Sequence, residues 1–286
     1  MNDILKTVIG LGSMGLFFGV GLAYASKKFA VESDPKIEAI NNALPGANCG
    51  GCGYPGCAAL AQAIANGEAA VNACPVGGSE TAGNIAAIMG VQADAMEKRV
   101  AHVICKGDCK NAHQKADYQG IHDCKAAVLA NNGQKSCSYG CLGFGTCKNV
   151  CDFGAISIVD GIAVIDKDKC VACGKCLEQC PKSIIKWVPY KQEVIVECNS
   201  HEFGKEVKDK CKVGCIGCGI CQKVCPFDAV HVIDKLAIID YEKCKQCHIC
   251  PVKCPTSAIS GNPEKMEKVR KAQEKKNAAA EKADEK

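Results

Sequence analysis

The stretch CIGCGICQKVCP, residues 215–226, carries Cys215, Cys218, Cys221 and Cys225 and ends on a proline. Two other runs repeat the spacing: CVACGKCLEQCP (Cys170, Cys173, Cys176, Cys180) and CKQCHICPVKCP (Cys244, Cys247, Cys250, Cys254). In each run the first three thiols can wrap one inorganic core, while the fourth, turned away at the proline, reaches the second core of a pair. Three copies of C-x2-C-x2-C-x3-C-P point to iron–sulfur clusters, because structural zinc usually takes two separated cysteine knuckles.

Composition agrees. With 25 cysteines in 286 residues, 5% aromatics and one Trp, the chain predicts small units stapled by bonds to sulfur rather than one large apolar core. Disulfides suit it poorly, since the cysteines come in tight runs and their total is odd. The net charge of +4 owes something to local lysine-rich stretches and does not argue for nucleic acid.

An ungapped internal repeat emerges at an offset of seventy-four residues. Cys137, Cys141, Cys147, Cys151, Cys170, Cys173, Cys176 and Cys180 fall on Cys211, Cys215, Cys221, Cys225, Cys244, Cys247, Cys250 and Cys254. Between the runs, AISIVDGIAVID matches AVHVIDKLAIID, two alternating apolar segments that predict a β-hairpin in each copy. Each repeat therefore reads as a two-cluster ferredoxin-like unit. Crossed ligation gives one set of Cys215, Cys218, Cys221 and Cys254, and another of Cys244, Cys247, Cys250 and Cys225. In the first unit Cys170, Cys173, Cys176 and Cys151 make a set, but the other has only Cys141, Cys147 and Cys180, because Phe144 stands where Cys218 stands in the second. Either Cys137 swings in as the fourth ligand or the site holds a [3Fe–4S] cluster.

Upstream lies a different module. LPGANCGGCGYPGC and a following alanine-rich segment bring Cys49, Cys52, Cys57 and Cys74 into a C-x2-C-x4-C-x16-C pattern, with glycines that let backbone wrap an inorganic core closely. Before it, TVIGLGSMGLFFGVGLAYA (7–25) is nineteen residues without a charge, long enough to cross a hydrocarbon layer of about 30 Å. It reads as an uncleaved transmembrane anchor rather than a signal peptide, since its apolar run is long and only Lys6 precedes it. Lys27 and Lys28 follow at once, placing the bulk of the chain on the cytoplasmic side. Gly10-Leu11-Gly12-Ser13-Met14-Gly15 fits G-x-G-x-x-G formally, but inside an apolar span with no preceding strand it is no dinucleotide site. Gly15 and Gly19 form G-x-x-x-G, a pattern that permits close packing against another membrane helix.

A membrane helix, the module from Cys49 to Cys74, CLGFGTCKNVCDFGAI and the ferredoxin runs together resemble the B-type subunit of the Rnf complex, an ion-translocating ferredoxin:NAD oxidoreductase. The two ferredoxin-like units match its long form. The resemblance implies a wire subunit, with no catalytic residues of its own, that accepts electrons from soluble ferredoxin and relays them towards partner subunits of the complex. It also implies a [4Fe–4S] set of Cys137, Cys141, Cys147 and Cys151, and hence at least five [4Fe–4S] clusters in the cell membrane. Cys105, Cys109, Cys124, Cys198 and Cys211 are then left over, enough for one further cluster. Cys211 is an objection to Cys137, because it holds the same place in a unit whose four ligands are complete.

The fold class expected is α+β, iron–sulfur-stapled small domains. They are an anchor (1–28), a four-cysteine [4Fe–4S] domain (34–90), a linker with extra cysteines (91–136), ferredoxin-like units (137–186 and 198–260) and a charged tail (262–286). Lys106, Lys110, Lys115 and Lys125 in the linker make either a receiving face for an acidic ferredoxin or an ordinary solvated surface. The six histidines are scattered singly and read as structural. A membrane-tethered cluster carrier or scaffold is the alternative function, and a zinc adaptor a third.

Overall fold

A computed structural model describes residues 2–28, 34–92 and 97–284. Part of the polar linker after the anchor (29–33), four residues at the start of the cysteine-bearing linker (93–96) and the last two of the tail lie outside the described residues. Helix α1 (Asn2–Lys28) presents exposed apolar side chains such as Leu11, Phe17 and Leu22, and its stretch Val8–Lys28 is long and apolar enough to cross a membrane.

The four-cysteine module is built on three helices. Asp34 caps α2 (Pro35–Ala43), whose Pro35 occupies the first turn, where a missing N–H costs nothing. Cys57 opens α3 (Cys57–Ala65), and α4 (Gly78–Met89) ends on Gly90 in the left-handed conformation. Ile40, Leu44, Leu60, Ile64 and Ile85 close a small apolar core behind the cysteine loop.

Two copies of one ferredoxin-like plan follow. In the first, strand β1 (Arg99–Val103) leads, α5 (Cys124–Leu129) comes later, and α6 (Thr146–Asn149) follows Cys141. Strands β2 (Ile156–Val159) and β3 (Ile162–Ile165) make the expected hairpin, then come α7 (Lys175–Gln179) and β4 (Ile185–Pro189). The second copy runs β5 (Ile195–Val196), α8 (Lys205–Lys210), α9 (Ile220–Lys223), the hairpin of β6 (Val230–Ile233) and β7 (Leu236–Ile239), α10 (Ile249–Lys253) and β8 (Ile259–Ser260). Strand β1 pairs antiparallel with β4, and β5 pairs with β8 in the same way. Each hairpin covers a thin apolar core shared with the thiols: Val103, Ile156 and Ile185 in the first unit, Val196, Val230 and Ile259 in the second.

Residues read from sequence as a linker are therefore partly structure. Strand β1 adds five residues of ladder to the first unit, and the loops after it seal the space between the units. Helix α11 (Pro263–Asp284) carries the tail away from the second unit, where Lys265 reaches Glu193 at 2.7 Å.

Candidate metal centres

The thiols stand around cavities. Among the described residues no three Cys, His, Asp or Glu side chains converge closely enough to hold one metal ion. Instead, sets of four cysteines stand around shared spaces, the arrangement a cubane needs and a single zinc does not.

Cys49, Cys52, Cys57 and Cys74 line one such cavity in the module. The loop is pinned by Asn48, whose side-chain oxygen accepts the Cys57 N–H at 2.8 Å. Gly51 lies against the first ferredoxin-like unit so closely that a Cβ there would sit 2.6 Å from the Cys173 carbonyl oxygen. In the second unit, Cys215, Cys218, Cys221 and Cys254 line one cavity, the set given by crossed ligation. The pairs that face the other two sites are close enough to interact electrostatically: Cys176 with Cys170, Cys173 and Cys151, and Cys250 with Cys247, Cys244 and Cys225.

At the site beside Phe144 the cavity is lined by Cys141, Cys147, Cys180 and Cys124. Cys137 is not among them; it lines a separate cavity with Cys105, Cys198 and Cys211. The physical reason is a latch. Phe144 is not among the lining residues and packs on Tyr118 and His122, with ring centroids at 5.1 Å and 5.3 Å. That seats the loop carrying Cys124, whose N–H donates to Thr146 Oγ1 at 2.8 Å, while the Thr146 hydroxyl donates to Asp123 at 2.7 Å. Asp123 in turn caps α5, and these bonds, the Thr146 hydroxyl foremost, hold its carboxyl below the usual carboxylate range. The ungapped repeat aligns Cys124 with Cys198, which conceals this placement.

Burial governs the thiols throughout. It pushes Cys141 up to about 11, and Cys147, Cys176, Cys198 and Cys250 to about 12. Such thiols are poor at staying charged alone and must give up protons as metal arrives. Glycines let the backbone close in: a Cβ on Gly143 would lie 2.4 Å from the Gly161 oxygen, and one on Gly217 2.7 Å from the Lys235 oxygen. The four linker lysines are engaged locally. Lys106 donates to Ser260, Lys110 pairs with Asp160, Lys115 donates to the Asn131 carbonyl and Lys125 to Gln179.

The geometry thus defines an iron–sulfur protein of ferredoxin type, a chain whose work is to hold redox centres. Comparison with known proteins agrees. A family model for an Fe-S cluster matches residues 44–76, and one for a 4Fe-4S dicluster domain matches residues 169–229. The second match takes one cysteine run from each repeat, whereas the folded units pair runs within a repeat. The chain is 52% identical to the B-type subunit of the Na(+)-translocating ferredoxin:NAD(+) oxidoreductase complex of Acetobacterium woodii, over 92% of this chain and 80% of that one. It is 44% identical to the B-type subunit of the ion-translocating oxidoreductase complex of Methanosarcina acetivorans, over 90% and 97%. To the corresponding subunit of the proton-translocating ferredoxin:NAD(+) oxidoreductase complex of Clostridium ljungdahlii it is 42% identical, over 91% and 93%. The chain belongs to this family, the B-type subunits of the Rnf complexes, and is an iron–sulfur electron-transfer subunit of an ion-translocating oxidoreductase.

Proposed function

We propose that this chain takes electrons from a soluble ferredoxin and passes them towards the NAD-reducing partners of its complex, which also move the ion. The supporting observation is contiguity. The module abuts the Cys173 loop through Gly51, and Cys49 lies close enough to Cys173 to raise its pKa. Cys147 faces Cys176 within the first unit, and Cys221 faces Cys250 within the second. The donor sets fit [4Fe–4S] clusters at the module, at Cys151 with Cys170, Cys173 and Cys176, at the Phe144 site, and at both sites of the second unit. Such clusters supply one-electron chemistry; the protein supplies thiolates, burial and spacing.

We assign entry to the second unit, where Cys218 is exposed among the exposed side chains of Phe203 and Ile220. Exit lies at the module, next in the chain to α1, which anchors the protein in the cell membrane with its bulk on the cytoplasmic side. A lone helix of this composition offers no ion path, so translocation belongs to partners.

The test uses anaerobically purified full-length protein mixed with reduced ferredoxin. Rapid bleaching of the visible cluster bands, and clusters that resist chelator, are expected. Clusters that leave for an apo-acceptor instead would identify a scaffold and overturn the relay.

A further inference from the structure

One cavity lined by four cysteines lies between the two ferredoxin-like units rather than within either. We propose that Cys105, Cys137, Cys198 and Cys211 hold a further [4Fe–4S] cluster at this junction, and that Cys124, not Cys137, completes the site beside Phe144. The proposal rests on the iron–sulfur reading of the ferredoxin sites, and its test separates the two.

Pseudo-symmetry carries the first part. Cys137 and Cys211 are equivalent by the repeat. Cys105 and Cys198 are equivalent by strand register, each two residues beyond a valine paired to matching isoleucines, Val103 to Ile185 and Val196 to Ile259. Their surroundings match as well: Cys141 N–H donates to Cys105 Sγ at 3.3 Å, and the equivalent Cys215 backbone lies beside Cys198. Each unit thus contributes the same two thiols to a shared space, which explains why Cys211 is retained in a unit that already has four ligands.

The cavity is shaped around sulfur. A Cβ at Gly107 would touch both Cys211 Sγ and Cys105 Sγ, at 3.4 Å and 3.7 Å, and one at Gly140 would touch Cys105 Sγ and Cys137 Sγ, at 3.5 Å and 3.6 Å. Backbone bonds from His113 to Lys210 and from Lys212 to Asn111 stitch the units together over it.

Charge gives an independent sign. Lys135 is only 2% exposed, and its ammonium donates to two carbonyl oxygens, Gly107 at 2.7 Å and Gly161 at 2.9 Å. A buried cation calls for a countercharge, and a [4Fe–4S] core with four thiolates is anionic overall. Lys135 acts electrostatically on Cys105, Cys211 and Cys141, so it stands between this site and the Phe144 site.

The second part follows from an insertion. From Val103 to Cys137 the first unit spends thirty-four residues, where the second spends fifteen from Val196 to Cys211. The extra nineteen include the latched loop, which delivers Cys124 to the one site lacking its motif cysteine. With six sets of four assigned out of 25 cysteines, only the exposed Cys109 remains. Loading the junction is a ligand exchange: four thiols lose protons and form four Fe–S bonds to a preformed cluster, while the four bonds to the thiolates of the delivering carrier break and those sulfurs take up the protons; no electron is gained or lost. It also fills the gap in the relay, since Cys105 neighbours Cys141 on one side and Cys198 neighbours Cys215 on the other.

Iron and acid-labile sulfide counts on the anaerobic full-length protein test this, with about 24 irons expected. Cys211→Ser and Cys137→Ser should each cost about four irons, and the double variant no more than either, because both ligands serve one cluster. Cys124→Ser combined with Cys137→Ser should cost about eight. Replacement by Asp at 211, a weaker ligand, should retain iron with a changed spectrum, a readout that misfolding would not give. A wild-type count of about twenty, or additive losses for 137 and 211, would refute the junction cluster and leave the relay standing. A protein without iron would sink both.

Discussion

The two ferredoxin-like units share a plan but solve one problem in opposite ways. In the second, Cys218 supplies the second motif thiol from within its own run and stands exposed. In the first, the equivalent Phe144 is an aromatic clamp, and the thiol comes from twenty positions upstream on a loop held by Tyr118, His122 and Thr146. A local ligand needs no support, whereas a distant one is worth only as much as the contacts that seat it. The second unit has no matching latch: Ile220 stands in the place of Thr146, and the loop bearing Tyr118 and His122 falls in the insertion that the second unit lacks.

Exchanging the paired residues should break this contrast most visibly. Cys218→Ser should strip a ligand and either lose its cluster or leave a three-iron form, seen as a new signal in the oxidised protein by electron paramagnetic resonance. Phe144→Ser, at the equivalent place, should leave its cluster four-iron at first and only make it labile. If Phe144→Ser instead yields a three-iron signal of the same intensity, Phe144 is not a mere clamp.

Next in size is the latch hydroxyl. Thr146→Val keeps the shape but leaves the part-buried Cys124 N–H and the Asp123 carboxylate without their partner, at about 1–3 kcal/mol. Cluster loss to chelator should quicken at the Phe144 site alone, while Ile220→Val in the second unit should change little. Equal rates in wild type and Thr146→Val would mean that Cys124 is not held by this bond. Phe144→Ala removes two aromatic contacts, each about 0.5–1.5 kcal/mol, and should give a similar but weaker phenotype because the backbone bond survives.

What is legible in the sequence follows from range. Runs such as Cys215 to Cys221 encode three of a site's four ligands locally, because spacing alone sets which sulfurs can share a core, and the hairpins announce themselves by alternation and turn residues. Cys124 and Cys105 are not legible in the same way. The gap-free offset aligns Cys124 with Cys198, although the strand ladders equate Cys105 with Cys198 and place Cys124 in an insertion. An alignment that keeps register at both ends of the units hides an insertion lying before them. One signal is present: Cys211 occupies the place of Cys137 in a unit already complete, which says that this position serves something other than the unit's own clusters. Strand β1 leaves little trace because RVAHV is short and its partner lies more than eighty residues on.

The smallest expected effect separates the hairpin turns. Both turns place two consecutive residues at positive φ: Asp160 and Gly161 at 46° and 75°, Asp234 and Lys235 at 47° and 66°. Glycine adopts this conformation freely, while a side chain costs about 1–2 kcal/mol there, so the second unit carries strain that the first avoids. The turn carbonyls nevertheless do the same work, each lying against a glycine of the adjacent cysteine loop, Gly161 against Gly143 and Lys235 against Gly217. Lys235→Gly should therefore stabilise the second unit by up to about 1 kcal/mol without altering its clusters, the gain being trimmed by glycine's greater freedom in the unfolded chain. The reverse change, Gly161→Lys, should cost more than that gain, because a Cβ at 161 would stand 2.5 Å from Cys109 Sγ as well as in the left-handed region. Thermal or denaturant unfolding of the loaded protein, read by loss of cluster absorbance, measures both. If Lys235→Gly destabilises, the lysine stem must contribute more to the turn than its backbone conformation takes away.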